Sequence, residues 1–145
     1  MATSFLGSAL LIGRVGSGYL LDRFFAPRVA MCIFGAAACG IVLLRTAAGT
    51  QLVFLAVFLI GLGMGAEVDI IAFLTSRYFG LRAFGEIYGY AFASYTLAGA
   101  LGPWLMRRGF ERSGSYVSIL VGFLLATLLA AVLMTRFGPY RFRPG

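Results

Sequence analysis

Three charged side chains stand inside apolar stretches, where charge is expensive. Arg14 is the single charged residue between positions 3 and 21, and Asp22 follows it by eight positions. On a helix that places Arg14 about 12 Å from Asp22 along the axis. An arginine at that depth in hydrocarbon costs roughly 2.5 kcal/mol or more, so by default it faces a bundle interior or a wet cavity. Its forked donors match a carboxylate in bidentate fashion. Two readings are open: an anion site, or a structural arginine bonded to helix carbonyls and nearby acids. Glu67 and Asp69 are the other intramembrane charges. Two residues apart on a helix, they point about 200° from each other. One is expected to face a solute path, while the other pairs with Arg77 or sits near the helix end. Burial disfavours a charged carboxylate without a partner, which suits a proton-coupling group; helix-packing salt bridges are the plainer reading. Tyr95 lies mid-run and turns its hydroxyl to a cavity or packs its ring in the core. This chemistry is binding and proton transfer. With no histidine, two cysteines inside an apolar run and no glycine-rich phosphate loop after a strand, no enzyme activity, metal site or cofactor is expected.

The elements that must position these groups follow from composition. Of 145 residues, 61% are hydrophobic and 12% charged, with a mean hydropathy of +0.94. A soluble domain is about 45–50% apolar and about 25% charged. A soluble globule, a disordered tail and a disulfide-stapled module are thereby excluded, and an all-α, polytopic transmembrane helix bundle is expected. The net charge of +7 comes from twelve arginines. Most stand at the ends of apolar runs, where positive charge orients a membrane protein, so nucleic acid is not an expected partner and membrane lipid is. A span needs about 20 apolar residues, and the chain reads as about five: 3–21, 29–44, 51–76, 87–106 and 116–135, followed by a basic, irregular tail over 136–145. Residues 107–114 read as a polar loop. Met1 leads straight into apolar residues, so no signal peptide is expected.

Five spans put the termini on opposite sides. One side collects Arg23, Arg28, Arg77, Arg82, Arg136, Arg141 and Arg143; the other collects Arg45, Arg107, Arg108 and Arg112. The positive-inside rule then puts the C-terminus in the cytoplasm. Tyr78, Phe79, Tyr88, Tyr116, Phe137 and Tyr140 read as an interfacial aromatic belt. Gly61, Gly63 and Gly65, the Gly85/Gly89 pair and the Ala98/Gly102 pair offer small surfaces for close helix contact. Cys32 and Cys39, about 10 Å apart on one helix, read as small packing residues and not as a disulfide. Pro103 should kink the fourth span.

Several segments together resemble a known family. Gly18-Tyr19-Leu20-Leu21-Asp22-Arg23, with Arg28 beyond, resembles the signature loop of the major facilitator superfamily of transporters. Residues 76–80 and 84–89 (Ser-Arg-Tyr-Phe-Gly and Phe-Gly-Glu-Ile-Tyr-Gly) resemble that superfamily's loop between its tenth and eleventh helices. Gly99-Ala100-Leu101-Gly102-Pro103 is similar to its Gly-rich, Pro-kinked segment. The resemblance covers essentially the whole chain and implies helices eight to twelve, a partial C-terminal half. The signature loop departs from the pattern where Phe25, Ala26 and Pro27 stand before Arg28. Within the superfamily, Arg14 four residues before Gly18 is similar to the arginine that binds the substrate carboxylate in monocarboxylate and oxalate–formate transporters. Leu10 stands where those groups have an acid, and the fourth span has no lysine for a second cation, which favours a monoanion over a dicarboxylate.

The resemblance implies alternating access in the cell (inner or plasma) membrane, by proton symport or exchange, with Arg14 and Tyr95 on the solute and Glu67 or Asp69 carrying the proton. It also implies that helices outside these residues, or another chain, complete the cavity. Two alternatives stand beside it. In one, Glu67 and Asp69 serve proton-coupled efflux of a cationic, drug-like solute. In the other, the chain is a non-transporting membrane fragment or subunit.

Overall fold

The computed structural model describes residues 2–46 and 49–140, with side chains from Gly7 onward. Five helices follow one another: α1 (Ala2–Arg23), α2 (Ala26–Thr46), α3 (Thr50–Phe79), α4 (Phe84–Ser113) and α5 (Val117–Met134). No strand occurs among the described residues. Arg141 and Arg143 lie outside them. Among the described residues three helices, α2, α3 and α5, are long and apolar enough to cross a membrane.

The helix ends show how local chemistry outruns the apolar pattern. Pro27 stands in the first turn of α2, where its missing N–H costs nothing. The α3 helix continues past position 76 to Phe79 and stops at Gly80, whose φ of 76° suits a residue without a Cβ. The expected polar loop over 107–114 is instead the last two turns of α4. Arg107 and Glu111 are paired at 2.8 Å one turn apart, and the helix closes at Gly114, left-handed at φ 64°, ψ 7°. The thirty residues of α4 extend about 45 Å. The helix runs on through Pro103.

The centre of the bundle is α3. Both α1 and α2 pack along it while touching each other little; α5 packs on α2, and α4 makes lighter contact with α3 and α5. The close approach is made by missing side chains. A Cβ added to Gly13 of α1 would stand 2.6 Å from the Leu62 carbonyl oxygen of α3, and one added to Gly65 of α3 would overlap the Leu10 carbonyl of α1. Gly61, Gly63 and Gly65 are all buried, Gly63 against Ala37 of α2 and Gly65 against Leu10 of α1. The α4 small residues behave differently. A Cβ at Gly85, Gly89 or Gly102 would meet nothing, Ala98 is exposed, and no described residue of α4 is buried. Their expected helix contact is not made within the described residues, because α4 lies at the edge of the bundle. Cys32 and Cys39 are likewise exposed on α2 and do not pack.

Around the α1–α2 link, Leu21, Ala26, Val29, Ala30, Ala66, Ile70 and Leu74 form a small apolar core. The described part of the tail folds back onto it. Tyr140 packs its ring on Phe25, with centroids 5.0 Å apart, and on Tyr78, 5.7 Å away. Its hydroxyl accepts the Ala26 N–H at 2.6 Å. The Tyr78 hydroxyl donates to the Gly138 carbonyl.

Candidate functional site

The Gly13 and Gly65 crossing positions Arg14, the next residue of α1, and Asp69, one turn past Gly65 on α3. From α1, Arg14 reaches Asp69 of α3, with Nε 3.7 Å from Oδ1. This is an ion pair without a hydrogen bond, since the separation exceeds hydrogen-bonding range. It is not bidentate. The Arg14 side chain is 64% exposed and that of Asp69 27%, so the bundle leaves the guanidinium facing outward, open to a second anion. Ser17, one turn past Arg14 and buried, holds the acid from the other side. Its single hydroxyl proton is shared between the Arg14 carbonyl oxygen at 2.9 Å and Asp69 Oδ2 at 3.2 Å. The Asp69 carboxylate therefore meets a cation at one oxygen and a hydroxyl at the other.

Glu67, two positions before Asp69, points about 200° away from it. It is half-buried, and among the described residues it forms no ion pair or hydrogen bond. Tyr95 of α4 is half-buried, and its ring lies beside that of Phe92, with centroids 5.9 Å apart. The two acids thus differ in surroundings: Asp69 meets Arg14 and Ser17 of α1, and Glu67 does not. Arg77 joins neither acid. Its guanidinium lies 4.9 Å from the Phe73 ring centroid and 5.8 Å from that of Tyr140, held by cation–π attraction.

A cleft of about 440 Å³ runs between α1, α3 and the start of α4, with Asp69 at one part of its wall and Gly18 and Asp22 at another. Asp22 and Arg23 stand at the end of α1, one turn past Gly18. Arg23 lies over the Tyr19 ring at 4.9 Å, Arg28 is exposed, and Asp22 pairs with neither among the described residues.

Residue spacing missed Ser17 and the Arg14–Asp69 partnership. A buried hydroxyl three positions after a mid-span arginine was the available signal for Ser17. Nothing in the spacing pairs Arg14 with Asp69, because the pairing depends on where α1 crosses α3. The described residues hold no cluster of metal-ligating side chains. Scans against family models, curated proteins and solved structures find no match to this chain.

Proposed function

We propose that this chain forms part of a secondary active transporter of the major facilitator type, moving a small organic anion such as a monocarboxylate by alternating access. The observation that carries the reading is Arg14: a charge in the middle of a helix, largely uncovered, and only loosely held by Asp69 at 3.7 Å. An arginine with spare donors, projecting from a membrane helix, has use for an anion. The Arg14–Asp69 pair also supplies a coupling step. Protonation of Asp69 removes its charge, and the guanidinium then takes the solute carboxylate. Loss of that proton returns Asp69 to Arg14 and displaces the solute. Ser17 keeps the Asp69 carboxyl in position in both states.

In this reading α1 and α4 are spans as well, the C-terminus is cytoplasmic, and helices from outside these residues, or another chain, cover the Arg14 face to complete a midplane cavity. A second reading has its own observation. Glu67, half-buried with no cationic partner among the described residues, is suited to a cationic, drug-like solute. Uptake competition decides between them, using the protein expressed from its complete reading frame and reconstituted in liposomes. Competition by short monocarboxylates supports the anion reading. Competition by hydrophobic cations, with carboxylates inert, replaces it with the cation reading.

A further inference from the structure

A second groove shares no residue with the candidate site. It lies between α4 and α5, has a volume of about 750 Å³, and is floored by Leu105, Ile119, Phe123 and Ala126. That volume is ordinary for a small-molecule site. Trp104, Arg108 and Arg112 form one stripe along its α4 wall, each a helical turn from the next. Arg108 lies 5.0 Å from the Trp104 ring centroid. Arg107 is engaged by Glu111 at 2.8 Å, and among the described residues neither Arg108 nor Arg112 has an acidic partner. The groove therefore offers an apolar slot whose rim carries two uncompensated guanidinium groups next to an indole, the side chain that favours the membrane–water boundary.

We infer that this groove binds one anionic phospholipid, with an acyl chain in the slot and the phosphate on Arg108 and Arg112. The charge distribution selects that occupant. A packed helix would have to bring acids to the rim or bury two unpaired arginines, whereas an anionic phospholipid carries the apolar chain and the negative headgroup on one molecule. Arginine pairs phosphate oxygens in bidentate fashion, and a lipid with net negative charge leaves no cationic group in the headgroup to repel the two guanidiniums.

The test is native mass spectrometry of the full chain in detergent micelles doped with phosphatidylglycerol or phosphatidylcholine. The expected result is retention of one phosphatidylglycerol, favoured about tenfold over phosphatidylcholine. The preference should disappear in Arg108→Gln/Arg112→Gln. Gly122→Phe places a ring in the slot at a position where an added Cβ meets nothing, and it should lower retention of both lipids with the rim charges intact. Equal retention of the two lipids, or a preference that survives both sets of substitutions, overturns the inference. So does photo-crosslinking from position 122 to a polypeptide in place of lipid.

Discussion

Asp69 of α3 lies 3.7 Å from the Arg14 guanidinium of α1, and both owe their positions to a crossing where neither helix has room for another methyl group. The two functional charges are therefore coupled to the packing of the bundle. The separation of α1 from α3 decides whether the acid reaches the arginine at all.

Enlarging that crossing should be costly. Gly65→Ala should lower stability by about 1–3 kcal/mol, the usual cost of overpacking, because its Cβ meets the Leu10 carbonyl. Gly99→Ala, on an open face of α4, should change stability by less than about 0.5 kcal/mol. Thermal melting in detergent, followed by circular dichroism, compares the two.

Neutralising the acid should separate binding from coupling. Asp69→Asn keeps the shape and a bond to Ser17 but cannot release a proton. Counterflow of a labelled monocarboxylate should persist, and accumulation driven by an inward pH gradient should fall to background. Gradient-driven accumulation at the unsubstituted level would take Asp69 out of the coupling step.

The tail should stabilise the α1–α2 link. Tyr140→Phe removes the acceptor of the Ala26 N–H and should cost about 1 kcal/mol. Tyr140→Ala also removes the ring contacts with Phe25 and Tyr78 and should cost more. Limited trypsinolysis at Arg23 and Arg28 should accelerate in the same order.

The five-span topology makes a directional prediction. Reporter fusions placed after Arg23, Arg45, Arg77 and Arg108 and at the C-terminus should alternate sides, with the C-terminal fusion cytoplasmic. Fusions after Arg23 and Arg45 that report the same side would remove α2 as a span.

How far the sequence could be read follows from these residues. The apolar runs that became α2, α3 and α5 were legible because hydrocarbon admits little else, and Gly61, Gly63 and Gly65 marked α3 as a helix of close contacts, with α2 at Gly63 and α1 at Gly65. The end of α4 was misread from polarity: Arg107, Glu111 and Arg112 look like a loop, yet i,i+4 pairing and a left-handed Gly114 keep them helical. The first N–H of α2 finds its acceptor far along the chain, in the hydroxyl of Tyr140, which follows Pro139 in an irregular segment. Tertiary approach decided both the Tyr140 contact and the partnership of Arg14 with Asp69, and no local period encodes either.

The most direct measurement is monocarboxylate uptake by Arg14→Lys, in the protein expressed from its complete reading frame. Lysine keeps the charge but loses the guanidinium fork. If Arg14 holds the solute carboxylate, uptake should fall about tenfold or more, about the 1.4 kcal/mol expected for losing one charge-assisted hydrogen bond, while membrane insertion and helix content stay unchanged. Uptake equal to that of the unsubstituted protein would contradict the assignment and leave Arg14 as a structural partner of Asp69.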